Sequence, residues 1–216
     1  MVLSMGPRMI RSTVRRAFPF ASALGALALL GALALLGGAV ASCAPAPPAV
    51  VPAWPPLTVV DTTGAKTTLP ADLSRSKLTV LVFYSEHCPC FRIHEQRLVE
   101  LERTYGARGV RVIFVDSEVS ASAERDSRAA AERGLPAIAL DPGAKLADAV
   151  GADYATYSVV LDPQGRIRYR GGIDSDKDRL HDGAQSFLRD AVDDLIAGRE
   201  PRVAEGKALG CALQKH

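Results

Sequence analysis

The residues best equipped for chemistry in this 216-residue chain are its four cysteines. Cys88 and Cys90 flank Pro89, Cys211 lies close to the C-terminus, and Cys43 follows an N-terminal apolar segment. Thiolates attack disulfides or peroxides and bind soft metal ions. Cys88 is the candidate nucleophile. It follows a β-branched and aromatic run, residues 79–84, and precedes a helical pattern. Pro89 suits a first helical turn, where a missing N–H costs nothing. Cys88 should therefore lie at a helix N-terminus, whose unpaired N–H groups and dipole favour negative charge. This turn should also expose both thiols. Cys90, one residue into the helix, is the resolving or paired thiol. A Cys-x-Cys disulfide closes a small, strained ring, so the partner of Cys88 is either Cys90 or Cys211. Gly210 should give the tail the freedom to present Cys211, which otherwise serves as a staple for the C-terminus.

Other groups surround this motif. His87 adds positive charge beside Cys88 and Glu86 opposes it. His94 follows Cys90 by four residues and shares its helix face. Cys88, Cys90 and His94, with Cys211 as a further member, would make a ligand set for Cu(I) or Zn. Against that, His94 falls on the apolar stripe Phe91, His94, Leu98, Leu101, Tyr105, which favours a packed histidine. Disulfide chemistry requires no cofactor; copper is the alternative. Asp174, Asp176 and Asp178 alternate without the glycine and glutamate of a calcium loop, and read as a solvated loop. His181 and His216 show no partner pattern.

The elements that must position the thiols follow from periodicity and turn residues. Strands are expected at 57–61 and 66–69, then the central strand before Cys88, then a helix to about residue 105. A strand at 110–116, a helix at 120–133, a strand at 136–140 and a short helix at 145–150 come next. A hairpin at 158–169 and a helix at 184–197 close the domain. Alternating strands and helices predict an α/β fold with a mixed central sheet flanked by helices and an N-terminal hairpin extension.

Residues 1–42 carry four arginines and no acid, with an apolar run at 21–40. This is the layout of a signal peptide, and Val40-Ala41-Ser42-Cys43 resembles a bacterial lipobox, in which the cysteine is lipidated. Without these residues the formal charge changes from +2 to −2, and no basic stripe remains, so nucleic acid is not an expected partner. Residues 43–56 hold six prolines and read as an extended tether. The expected organisation is a lipoprotein signal at 1–42, the tether at 43–56, a redox domain at 57–198 and a tail at 199–216 carrying Cys211. The expected location is the cell envelope, anchored to a membrane through lipid on Cys43.

The strand-Cys-Pro-Cys-helix arrangement, the strand ending at Asp116, and Val159-Val160-Leu161-Asp162-Pro163-Gln164-Gly165-Arg166-Ile167 resemble the redoxin branch of the thioredoxin superfamily, related to alkyl hydroperoxide reductase and thiol-specific antioxidant proteins. The resemblance implies a thioredoxin-like fold over about 57–197 and thiol–disulfide exchange with protein thiols, recharged by an electron donor. This chain departs from the family at three places. One residue instead of two separates its cysteines, and Thr156 stands where a cis-proline is usual. Ser85 fits the threonine place of a peroxiredoxin, but Leu81 stands where its proline belongs, which argues against classical peroxidase activity; copper delivery is the first alternative to disulfide exchange and thiol peroxidase the second.

Overall fold

The computed structural model describes residues 55–216. The signal at 1–42, Cys43 and nearly all of the tether lie outside the described residues. Seven strands form one mixed sheet: β1 (Leu57–Asp61), β2 (Lys66–Leu69), β3 (Leu78–Tyr84), β4 (Val110–Asp116), β5 (Ile138–Leu140), β6 (Ser158–Leu161) and β7 (Ile167–Gly171), in the spatial order β2-β1-β5-β4-β3-β6-β7. β3, β4 and β5 run parallel, and the pairs β1–β2, β1–β5, β3–β6 and β6–β7 are antiparallel.

All seven residues of β3 are buried, as expected of a strand with a neighbour on each side and structure on both faces. Its register pairs Leu81 with Ile113 on one side and with Val159 on the other. The motif of interest leaves the end of this fully buried strand.

Four helices complete the domain: α1 (Pro89–Gly106), α2 (Ala123–Arg133), α3 (Lys145–Val150) and α4 (Phe187–Ile196). α1 buries Cys90, Phe91, His94, Leu98, Leu101 and Tyr105, the stripe that its 3,4 spacing predicts. Phe91 meets Tyr84 of β3 and Phe114 of β4 edge-to-face, with ring centroids 5.0 and 6.2 Å apart. This contact fixes the start of α1 against the sheet. α2 starts later than its composition suggests because the Ser122 hydroxyl accepts the Arg125 N–H and caps it there. α4 likewise occupies only the central part of its apolar stretch. Among the described residues, no helix is long and apolar enough to cross a membrane.

The segment after α4 lacks regular secondary structure but follows a defined course. Asp194 of α4 holds Arg199 and Arg202 at 2.7 and 3.0 Å. The chain then runs along the edge of β7, where Arg170 N–H donates to Ala204 O and Gly206 N–H donates to Arg170 O. Contact here is close: a Cβ on Gly171 would lie 2.0 Å from Gly206 O. The last residues cross to the loop after β4, where Val119 N–H donates to Gln214 O.

Candidate active site

Cys88 is the N-cap of α1 and its Sγ accepts the Phe91 N–H at 3.4 Å. Its own N–H donates to Ser85 O at 3.3 Å. A helix beginning at Pro89 leaves its first N–H groups without intrahelical partners, and the sulfur takes one of them. The turn that holds Cys88 is fastened from α2. Arg133 donates to the Glu86 carbonyl at 2.9 Å, and the Arg125 Nε lies 3.2 Å from the Glu86 carboxylate. Arg125 also pairs with Asp116 at the end of β4. Burial pushes the Asp116 carboxyl up to about 7, against the pull of the Glu118 amide and Arg125. No sequence signal singled out Arg125 or Arg133, since their partners lie up to 49 residues away.

The tail completes the site. Cys211 N–H donates to Cys88 Sγ at 3.4 Å, and Cys211 O accepts the Ala155 N–H at 2.9 Å. Leu213 N–H donates to Asp153 O at 2.9 Å, and Tyr154 and Ala212 form an antiparallel bridge. Leu213 is buried, and Lys215 reaches Asp148 and Asp153 at 2.8 Å. Residues 210–215 thus form a strap across the N-terminus of α1. The sulfur atoms of Cys88, Cys90 and Cys211 all lie within 4.8 Å of one another.

This arrangement corrects two expectations. Cys88 and Cys90 are not exposed: they retain 1% and 8% of their accessible surface, and Cys211 is half-buried. The turn would present both thiols, but the strap closes over it. Gly210 is needed for contact rather than freedom. A Cβ there would stand 1.8 Å from Ala155 O and 3.0 Å from the Thr156 hydroxyl, so only glycine fits.

Thr156, at the place of the usual cis-proline, is buried and adopts φ +73°. This left-handed backbone is rare for a β-branched residue. Its N–H donates to Phe83 O at 2.9 Å, and Phe83 N–H donates to Tyr157 O at 2.8 Å. These bonds tie the 153–157 loop to the end of β3 and place it beside the thiols. His87 is exposed, its imidazole 4.0 Å from Glu86.

His94 belongs to a different network. Its Nδ1 bonds Cys90 O at 2.6 Å and its Nε2 bonds Asp174 at 2.9 Å. Both nitrogens are committed, so the packed reading of His94 describes its position, and the set Cys88, Cys90, His94 is not assembled. Asp174 and Asp176 are buried rather than solvated, because Arg97 bonds both at 2.6 and 2.9 Å and His181 bonds Asp176 at 2.8 Å. Burial opposes charge on His94, but Asp174 and the Cys90 carbonyl outweigh it and raise its pKa above the ordinary value.

The thiols differ electrostatically. Burial, then the neighbouring Cys88, raises the pKa of Cys90. Burial followed by the hydrogen bond and charge of Cys88 pushes Cys211 up to about 12. Two negative sulfurs this close repel, so ionisation of Cys88 opposes ionisation of the others.

Residues 50–170, more than half of the chain, match the AhpC/TSA family. The chain belongs to this family. Its structure is similar to that of an uncharacterized conserved protein from Geobacillus kaustophilus, with a TM-score of 0.66 and 25% identity over 74% of this chain and 88% of that one. A hypothetical protein from Sinorhizobium meliloti matches with a TM-score of 0.66 and 22% identity over 75% and 92% of the two chains. A protein described as the thiol:disulfide interchange protein DsbE from Chlorobium tepidum is a looser likeness, with a TM-score of 0.47 and 20% identity over 55% and 81%. No curated protein matches. The α/β fold is thioredoxin-like, and the chain is a redoxin.

Proposed function

We propose that this redoxin is a membrane-tethered, extracytoplasmic thiol–disulfide oxidoreductase in which Cys88 attacks and Cys211 resolves. The observation that carries the reading is the convergence of three thiols at the N-terminus of α1, with the strap's own N–H on Cys88 Sγ.

The steps follow from the geometry. The strap lifts, since Cys88 is buried beneath it. The Cys88 thiolate attacks one sulfur of a protein disulfide, forming a mixed disulfide and expelling the other sulfur as a thiolate. Cys88 then no longer carries charge, which removes its repulsion of Cys211. Cys211 loses its proton to solvent and attacks Cys88 Sγ, releasing the second substrate sulfur as a thiolate. The substrate gains two electrons and the redoxin becomes a Cys88–Cys211 disulfide, which a dithiol donor reduces. Cys90 serves less well as resolver because the ring that it closes with Cys88 is small.

Single Cys→Ser variants test the roles. Cys88→Ser should abolish reduction of a peptide disulfide, and Cys211→Ser should accumulate the mixed disulfide at Cys88, seen by mass mapping. Full activity in Cys88→Ser would reject the reading.

Family membership keeps thiol peroxidase as a second reading. β3 carries Leu81, paired on both sides, where a peroxiredoxin places proline. Peroxide-dependent sulfenic acid at Cys88, without disulfide exchange, would favour the peroxidase. The tether rests on residues 1–56 alone. Cys43→Ala should abolish incorporation of a labelled fatty acid into the chain; absence of label from the wild type, or equal label in the variant, would reject lipid anchoring through Cys43.

A further inference from the structure

We infer that the reduced protein holds one Cu(I) ion in a trigonal site made by Cys88, Cys90 and Cys211. The inference goes beyond disulfide exchange and does not require turnover. Three sulfurs around a metal at a bond length of about 2.3 Å stand about 4 Å apart. The three sulfurs here already lie within 4.8 Å of one another, so a small inward turn of the side chains closes the ring. The ligands come from rigid or fastened backbone: Cys88 is the helix cap, Cys90 is in the first turn, and Cys211 is pinned by Ala155.

The donor set selects the ion. All three ligands are soft sulfur, which suits Cu(I). A structural Zn site normally completes a tetrahedron. Among the described residues, no histidine or carboxylate joins this group, and the nearest histidine along α1, His94, has both nitrogens engaged. The burial of Cys88 and Cys90 keeps water from supplying the missing ligand. The N–H groups of Phe91 and Cys211, aimed at Cys88 Sγ, offset part of the negative charge left by three thiolates and one monovalent cation. Loading releases a proton from each thiol that is protonated beforehand, with no change in oxidation state.

Anaerobic titration of the reduced full chain in detergent, with Cu(I) supplied by a chromophoric chelator, tests the site. One Cu(I) per chain should leave the chelator, and all three thiols should resist alkylation. Cys90→Ser and Cys211→Ser should each weaken binding by more than the roughly 10- to 100-fold typical of losing an outer-shell partner. His94→Gln, checked for folding by circular dichroism, should bind as wild type. Failure of the wild type to compete, or unchanged affinity in Cys211→Ser, would overturn the inference. Disulfide exchange by the metal-free chain is measured separately, so either reading can fail alone.

Discussion

Replacing Gly210 by alanine should open the strap. The new Cβ would stand 1.8 Å from Ala155 O and 2.8 Å from Ala155 C, both backbone atoms that cannot swing aside. Reaching an ordinary C···O contact of about 3.3 Å requires a retreat of roughly 1.5 Å. That movement breaks the 2.9 Å bond from Ala155 N–H to Cys211 O and strains the 2.9 Å bond from Leu213 N–H to Asp153 O. Each is worth about 1 kcal/mol net. Partial re-exposure of Leu213 adds about 0.5–1 kcal/mol out of the ~2 kcal/mol for a buried leucine. A total of about 2–3 kcal/mol raises the open population roughly 30- to 150-fold at 1.4 kcal/mol per tenfold. Site-resolved alkylation of reduced protein, quantified by mass spectrometry, reads this as a faster rate at Cys88. Gly183→Ala is the control, since nothing lies within 4 Å of its Cβ. A Cys88 rate in Gly210→Ala within twofold of wild type would refute the idea that the strap gates this thiol.

Leu213→Ala should act in the same direction, accelerating alkylation of Cys211 as well as Cys88 by removing the buried anchor of the strap. Asp174→Asn should lower the pKa of His94, followed by NMR of its imidazole, and cost about 3 kcal/mol by breaking a buried pair; an unchanged titration would exclude the Asp174 contact. The same pair predicts a pH effect. Because the folded pKa of His94 is raised, its contribution is complete below the ordinary value of 6.5 and is lost as pH rises through the folded value. The thermal midpoint should therefore fall on the alkaline side, and this fall should vanish in Asp174→Asn. At the acid end, Asp176 and Asp194 are held down to about 2. For Asp176, the hydrogen bonds from His181 and Arg97 overcome the cost of burial; for Asp194, those from Arg199 and Arg202 dominate. Their contribution is present above pH 3.8 and is lost as pH falls towards 2, which an acid denaturation curve with its midpoint in that window would register.

Features that depend on a few consecutive residues were legible in the sequence. The β3 run, Pro89 at the first turn and the α1 stripe each follow from local backbone preference and burial period, so the strand-thiol-helix motif could be placed without coordinates. The same holds for the hairpin at 158–169, marked by Pro163-Gln164-Gly165. His94 and Asp174 are 80 residues apart, and no local pattern announces such a pair. Alternating aspartates look solvated until Arg97 arrives from another element. Arg125 and Arg133 were likewise hidden, as charged residues on a helix that looked like surface.

The thiols divide in the same way. Sequence alone determined that Cys88 would cap a helix and Cys90 would follow it, because a proline-initiated helix after a buried strand leaves little else for those residues to do. Only the tertiary structure decided that Cys211 meets them and that the site is closed. That outcome depends on a loop held left-handed at Thr156, on Gly210 lying against Ala155, and on a strap, residues 210–215, whose backbone hydrogen bonds go to residues more than fifty positions earlier. Such contacts arise from how the finished sheet places its edges and loops, and composition near Cys211 carries no trace of them.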